Sequence, residues 1–171
     1  LAGDPDSRQT KRLEATSQLN LLIDNEWDWR LREQPTFAAY LGDRRHNSRW
    51  PDVSLKAINR RHGHRRAVLK QLAAIDRKLL APGDRLNYDL FRRQYAVSVE
   101  SHAHRWFLVP LTARDGIQDA SSTADVIRLE QVEDYRQWLE RLRSVRGYMD
   151  QTIALMQVGL KERRVHDREV M

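Results

Sequence analysis

Apolar residues recur every three to four positions through most of this chain, and that spacing predicts α-helices. The first predicted helix covers residues 7–34, because Pro35 disfavours helical backbone at the residue before it. A short helical turn over residues 36–41 follows, with Gly42 as its stop. Ser54 is a good N-cap for the next predicted helix, which reaches about residue 80.

A third long helix is predicted to start at Pro82 and Asp84 and to carry an aromatic face as far as His102. Residues 95–99 within it also alternate between apolar and polar positions, as a strand would. The pattern there is therefore compatible with either element.

Residues 132–142 and 149–160 predict a fourth and a fifth helix, with Gly147 at the break between them. Residues 107–129 show no sustained period and contain Pro110, Gly116 and several Ser and Thr residues, so they predict one long irregular connection. The expected fold class is all-α: a bundle of about five long antiparallel helices with one long irregular connection.

The length of 171 residues suits one domain, and only 7 Gly and 5 Pro occur, which favours few turns and long elements. The predicted organisation is an N-terminal extension and helix start over residues 1–18, a helical domain over 19–160 and a charged tail over 161–171. No stretch approaches the roughly 20 apolar residues that span a membrane. The first residues, LAGDPDS, show no signal peptide.

The charge of the chain comes mainly from arginine. The net charge is +6, and the guanidinium fork suits phosphate and carboxylate, so a basic helical nucleic-acid-binding module is one alternative. The arginines are interleaved with Asp and Glu along the whole chain, however, which favours a solvated helix surface. Because the chain has no cysteine, disulfides and zinc–thiolate sites are excluded.

Two His-x-His pairs raise the question of a metal site: His62 with His64, and His102 with His104. Side chains two apart lie about 200° apart on a helix, so neither pair can hold one ion alone. Two histidines that bind one zinc ion from the same helix lie at positions i and i+4, as in HExxH, and this motif is absent from the sequence. We therefore predict no metal ligand in this chain, and we interpret His102 as a hydrogen-bonded core histidine.

Other catalytic patterns are also missing from the sequence. Asp24 with Asp28, and Glu26 with Arg30, have i, i+4 spacing that could serve acid–base chemistry but more often gives surface ion pairs. The chain contains no GxGxxG, no GxxxxGK[ST] and no GxSxG. We predict no catalytic and no cofactor-binding residue.

The connector YLGDRRHNSRWPDVS, residues 40–54, concentrates three arginines, one histidine and Trp50, which looks exposed, between two predicted helices. Such a connector could be a nucleic-acid contact, a metal site, the rim of a substrate cleft or a solvated turn. The composition alone leaves these interpretations open.

Three stretches carry a resemblance to a known family: NEWDWRLREQPTFAAYLGDRRHNSRWPDVS, RLNYDLFRRQ and VEDYRQWLERLRSVRGYMDQTIALMQVGL. In this order, over about residues 19–160, they resemble the N-terminal third of domain-of-unknown-function family 885. The resemblance implies an exported bacterial protein, roughly three times this length, with the activity of a zinc metallopeptidase of the HExxH type. That motif lies in the later portion of the family, so zinc is implied for the full-length protein and not for this chain.

The family's turn, L-G-D-x-R-x-[ND], is matched by Leu41, Gly42, Asp43, Arg45 and Asn47. In one interpretation the turn is structural, with Gly42 in a left-handed conformation and Asp43 accepting bonds from backbone N–H groups. In the other, the turn faces a cleft and pairs with the terminal carboxylate of a peptide. The candidate residues for that contact are Asp43, Arg44, Arg45 and His46.

The leading hypothesis is a non-catalytic N-terminal helical scaffold or cleft-lid portion of an exported zinc metallopeptidase-like protein. Its expected partner is the remainder of its own polypeptide, with a peptide substrate in the full-length context and no membrane span. The alternatives are the nucleic-acid-binding module and a standalone helical interaction module, which would form a homodimer through exposed apolar faces.

Overall fold

A computed structural model describes residues 5–112 and 116–166, and every regular element in those ranges is helical. The α-helices are α1 (Pro5–Glu33), α2 (Pro35–Tyr40), α3 (Leu55–Ala73), α4 (Pro82–Ser101), α5 (Thr123–Val126), α6 (Val132–Arg143) and α7 (Val145–Lys161). Short 3₁₀ turns occupy Arg44–His46, Arg77–Leu79, His102–His104, Trp106–Leu108 and Ile117–Ser122. The predicted all-α fold with about five long helices is confirmed. None of the described helices is long and apolar enough to cross a membrane.

Proline, serine and glycine set the helix ends much as predicted. Pro35 and Pro82 lie in the first turns of α2 and α4, where a missing N–H loses no helical bond. Ser54 Oγ accepts a hydrogen bond from the Ala57 N–H at 3.2 Å and so caps α3. Gly42 has φ of 82°, a left-handed conformation that turns the chain after α2.

The chain divides into two compact units. The first comprises Leu1–Asp28 with Arg60–His104, and the second comprises Trp29–Asn59 with Arg105–Met171. In the first unit α1, α3 and α4 pack around one apolar core. Its buried residues are Ala15, Leu19, Leu22, Val68, Leu72, Ile75, Leu80 and Tyr88.

Side-chain hydrogen bonds give the helix directions in the first unit. Thr16 of α1 bonds to Asp84 at the start of α4, and Glu26 of α1 bonds to Tyr95 further along α4, so these helices run in the same direction. His64, in the first half of α3, meets Glu26, while the last turn of α3 lies beside an earlier turn of α1. Thus α3 runs antiparallel to both.

The second unit buries a mixture of apolar and polar side chains. α2 packs on α5 and on the turn Arg44–His46, and α7 packs on the turn Trp106–Leu108. A Cβ atom at Gly159 of α7 would lie 2.6 Å from the Leu108 carbonyl oxygen, so this close approach requires glycine. The buried residues are Leu31, Pro35, Ala38, Ala39, Asn47, Ala57, Leu108, Thr123, Ile127, Asp134, Arg141, Thr152, Leu155 and Gly159.

Several predicted details differ from the structure. α3 ends at Ala73 rather than near residue 80, and a 3₁₀ turn follows in which Asp76 Oδ1 accepts the Lys78 N–H at 2.9 Å. Residues 95–99 are helical, so the strand-like alternation there was misleading. The connection over 107–129 holds two 3₁₀ turns and α5, and its residues 113–115 lie outside the described ranges.

The break between the last two helices lies at Ser144 and not at the predicted Gly147, which is inside α7. The carbonyl oxygen of Arg141 accepts from the Ser144 N–H at 3.1 Å, from Ser144 Oγ at 2.8 Å and from Trp50 Nε1 at 2.7 Å. Because these donors occupy that oxygen, it does not continue the i to i+4 ladder into α7. Ser144 provides two of these donors and Trp50 of the connector provides the third, which the local sequence does not reveal.

Candidate functional site

Asp43 begins the predicted turn, and its carboxylate holds the turn together. Oδ1 accepts the Arg45 backbone N–H at 3.0 Å, and Oδ2 binds Arg45 Nη2 at 2.7 Å. These hydrogen bonds from Arg45 keep the pKa of Asp43 below its ordinary value, against the opposing effect of burial. With the left-handed Gly42, this is the geometry that the structural interpretation predicted.

Arg44 connects the turn to the start of α6. Its guanidinium pairs with Glu130, and its Nη1 lies 3.3 Å from Oδ2 of Asp134. Asp134 is only 4% exposed and also accepts the backbone N–H groups of Gln131 at 2.9 Å and Glu130 at 3.0 Å. These backbone bonds, followed by the charge of Arg44, hold the pKa of Asp134 below its ordinary value.

His46 completes the predicted turn as a half-buried imidazole. Its Nδ1 lies 2.9 Å from Nη2 of Arg49. Burial first, and then the charge of Arg49, lower the pKa of His46, so the neutral form that can accept this bond is favoured. Arg44 and Arg45 bind carboxylates of their own chain and His46 meets an arginine. A substrate contact by these residues stays a prediction.

Trp50 is half-buried and anchors the connector, in contrast to the exposed residue that the sequence suggested. Its ring stacks on Tyr148 of α7 with a centroid distance of 5.4 Å and an interplanar angle of 5°. Its Nε1 donates to the Arg141 carbonyl oxygen. Three residues further on, the Val53 N–H donates to Oε1 of Gln151 at 2.9 Å. The connector is therefore fixed to α6 and α7 by specific bonds.

Arg141 is the most unusual side chain of the second unit. Its relative exposure is 0%, yet among the described residues its guanidinium makes a single hydrogen bond, from Nη2 to the His46 carbonyl oxygen at 3.1 Å. Within residues 5–112 and 116–166, Nε and Nη1 have no acceptor. The Trp50 ring centroid lies 5.3 Å from Cζ. Burial lowers the pKa of Arg141 to about 10, so the group is still a cation at neutral pH.

We use the name Arg141 cluster for His46, Asn47, Trp50, Arg141 and Tyr148. Asn47 is 3% exposed, and its Oδ1 is a buried acceptor without a partner among the described residues. Buried polar atoms normally find hydrogen-bond partners, and leaving them unpaired costs free energy. The Arg141 cluster therefore combines a buried charge with unused hydrogen-bonding groups.

A second buried polar group, the Glu26 cluster, consists of Glu26, His64 and Tyr95 in the first unit. Glu26 is 5% exposed. Its Oε2 accepts from Tyr95 Oη at 2.5 Å, and its Oε1 lies 2.8 Å from His64 Nε2. The predicted surface ion pair between Glu26 and Arg30 was wrong, because Glu26 faces inward.

The two histidine pairs meet each other through their first members. The His62 and His102 rings stack with centroids 3.9 Å apart and planes 28° apart, so His102 is held by an aromatic contact. His64 turns instead to Glu26. Among the described residues, no group of three or more His, Asp or Glu side chains is arranged to hold a metal ion.

The apolar faces of α6 and α7 point outward. They form an apolar stripe on each helix, at positions that fall within an arc of about 80° on α6 and about 60° on α7. The stripe residues, each at least 37% exposed, are Val132, Tyr135, Leu139, Leu142, Met149, Ile153, Met156 and Leu160. The sequence identifies these faces as apolar without showing whether they pack within the chain. In the structure α6 turns Asp134 and Arg141 inward.

An apolar cavity of about 240 Å³ continues the stripe at the end of α7. Met156 and Leu160 belong both to the stripe and to the cavity wall. The opposite wall is residues 108–111, and His166 closes one side by placing Nε2 2.9 Å from the Leu111 carbonyl oxygen. Exposed apolar area of this extent usually marks a surface that contacts another molecule.

The Arg141 and Glu26 clusters were both missed from the sequence. The helical period assigns Arg141 to the solvent side of α6, since it lies opposite the apolar stripe. Glu26 lies among exposed charges in DNEWDWRLRE, where i, i+4 pairing is the natural expectation. No local signal marked either residue as buried.

Comparison with known proteins identifies a family. Residues 35–171 match the model of a family described as bacterial protein of unknown function (DUF885). A search of curated proteins found no match.

Proposed function

We propose, from the premise that the chain belongs to the DUF885 family, that it is a non-catalytic helical scaffold whose α6–α7 surface binds a further protein segment. The observation that carries this proposal is the pair of exposed apolar stripes. Eight large apolar side chains, aligned on two consecutive helices, are exposed in a unit that buries Asp134 and Arg141.

The energetic reason is the size of the apolar surface. Burying such side chains contributes roughly 1.5–3 kcal/mol each when they are fully covered. A sequence that only needed this unit to fold would gain from placing the stripes inside and the charges outside. The arrangement is instead the one expected of a layer inside a larger assembly.

The partner that we propose is a further part of the same polypeptide. In the full-length protein, zinc, peptidase activity and export are expectations that the family resemblance suggests. The described residues would then act as a scaffold or cleft lid and not as the site of chemistry. Incubation of this chain with zinc and a peptide library should give no hydrolysis, and robust turnover would contradict the non-catalytic role.

Self-association of the isolated chain tests the proposed docking surface. If a further protein segment normally covers the apolar stripes, the isolated 171-residue chain should self-associate as its concentration rises. Sedimentation velocity measures this association. A double variant, Leu139→Glu with Ile153→Glu, should stay monomeric. Its free energy of unfolding should be unchanged, because both side chains are about half exposed, at 49% each.

The matched control is Ala154→Glu with Gln157→Glu, which adds the same charge at exposed positions of α7 outside the stripe. It should associate as the parent chain does. A parent chain that remains monomeric at every concentration would count against the docking surface. So would a double variant with a large loss of stability, because the stripes would then belong to the core of this chain.

A further inference from the structure

We infer that the Arg141 guanidinium is a binding site for a carboxylate that the described residues do not supply. The inference concerns the inward face of α6 and is independent of the apolar stripes on the outward face. It follows from the hydrogen-bonding capacity, the charge and the covering of one side chain.

The hydrogen-bonding capacity of Arg141 is largely unused. A guanidinium offers five N–H donors, and this one bonds only to the His46 carbonyl oxygen among the described residues. Its Nε and Nη1 are both buried without an acceptor. A buried cation in this condition is strongly disfavoured unless an oxyanion joins it.

The geometry of the remaining donors suits a carboxylate. A guanidinium has two edges with parallel N–H bonds, one formed by Nε and Nη2 and the other by Nη1 and Nη2. The His46 carbonyl can take only one of the two Nη2 hydrogens, so one edge keeps both of its donors. Arg45 shows the pairing that such an edge makes, with Nε 3.1 Å from Oδ1 and Nη2 2.7 Å from Oδ2 of Asp43.

The charge around the site favours a monoanion. In the connector, Arg44 pairs with Glu130 and Asp134, and Arg45 pairs with Asp43. Arg49 bonds to the imidazole of His46 and keeps its charge, but it is exposed to solvent. Arg141 therefore brings the buried positive charge of the cluster. A carboxylate neutralises that charge, whereas a phosphate dianion would bury a net negative charge.

Trp50 covers the guanidinium and controls access to it. The residue lies in residues 49–53, which are neither helix nor strand, so its movement disrupts no regular element. The ring is held by its stack on Tyr148 and by the bond from Nε1 to the Arg141 carbonyl oxygen. An entering carboxylate must displace the ring from the guanidinium, so binding should change the environment of Trp50.

Thermal unfolding of the 171-residue chain in sodium acetate and in sodium chloride, at equal ionic strength, tests the inference. A ligand that binds only the folded state raises the folded-to-unfolded ratio by about tenfold at ten times its Kd. That corresponds to a rise in Tm of about 3–5 °C for a chain of this size. We expect this rise in acetate, together with a change in tryptophan fluorescence that Trp50→Phe removes.

Variants of Arg141 distinguish the effect of the two parallel N–H donors of its guanidinium from the effect of its positive charge. Arg141→Met should lose the acetate effect completely, and Arg141→Lys should keep only a small part of it, because an ammonium offers no parallel pair of donors. Arg143→Met, at an exposed position of the same helix, should respond as the parent chain does. Equal Tm values in acetate and chloride would overturn the inference, as would an undiminished response of Arg141→Met.

The carboxylate could belong to a small free ligand or to a protein segment, and two further probes separate these sources. N-acetylglycine presents a chain terminus and the α-amide of N-acetylglutamate presents a side-chain carboxylate, whereas acetate presents neither. A stronger effect of one amino-acid derivative than of acetate would identify a protein segment as the source. A larger rise in Tm with inorganic phosphate than with acetate would contradict the assignment to a carboxylate.

Discussion

The Glu26 and Arg141 clusters are both buried and charged, but only the first is complete. Glu26 meets Tyr95 at 2.5 Å and His64 at 2.8 Å, so its carboxylate oxygens have donors. Arg141 is equally hidden, and two of its nitrogen atoms have no acceptor among the described residues. One cluster is a finished structural element, and the other lacks a partner.

The comparison separates two uses of a buried charge. A paired and fully bonded charge fixes the register of the helices that contribute to it, here α1, α3 and α4. An unpaired charge lowers stability, and its presence is best explained by binding. Substitution at the two clusters should therefore change stability in opposite directions.

The largest effect is expected from Glu26→Leu. This change leaves Tyr95 and His64 without their shared acceptor in a part-buried site, and should lower the free energy of unfolding by about 3 kcal/mol. Urea denaturation followed by circular dichroism measures it. Glu14→Leu, at an exposed position of α1, is the control and should change stability little. A Glu26→Leu chain as stable as the parent would show that the cluster is not a structural element.

Arg141→Met should act in the other direction. It replaces a buried, unpaired cation by an apolar side chain of similar length, and should raise the free energy of unfolding by about 2 kcal/mol. Arg143→Met, on the exposed side of α6, should have almost no effect in the same denaturation experiment. Destabilisation by Arg141→Met would mean that the cation already has adequate partners, and the contrast with Glu26 would disappear.

Tyr95→Phe should sharpen the comparison with a smaller loss. It removes one hydrogen bond to a charged group while His64 remains in place, which costs about 1.5 kcal/mol. The matched control is Tyr135→Phe, since that tyrosine is 53% exposed. If both variants lost the same amount of stability, the bond to Glu26 would have no special role.

The smallest change concerns acid sensitivity near the Arg141 cluster. The pKa of Asp134 is lowered by the N–H groups of Gln131 and Glu130 and by Arg44, so its folded pKa lies below the unfolded one. Its contribution is therefore present above the unfolded pKa of about 4 and is lost as pH falls through the folded pKa. Asp134→Asn should flatten this part of the curve of unfolding free energy against pH.

The free energies of unfolding of Asp134→Asn and of the parent chain should converge as the pH falls. The variant should be less stable than the parent at neutral pH and equal to it in strong acid. Parallel curves for the two chains, measured by denaturation at successive pH values, would rule out Asp134 as a source of acid sensitivity.

Local sequence signals were sufficient to predict the helices and most of their ends. Apolar periodicity, the Ser54 cap, Pro35 and Pro82 are signals between near neighbours, and backbone conformation responds to such neighbours directly. The turn at Gly42 and Asp43 was likewise predictable, because a left-handed glycine and an Asp side chain close it locally.

The buried face of each helix and the partners of the buried charges depend instead on contacts between distant parts of the chain. Glu26 finds its partners 38 and 69 residues away, and Trp50 reaches the Arg141 carbonyl oxygen across 91 residues. The sequence alone leaves the place of the α6 stripe open, because periodicity identifies an apolar face without showing whether it packs within the chain or beyond it. Burial depends on contacts between distant segments, and such contacts produce no periodic pattern in the sequence around Glu26 or Arg141.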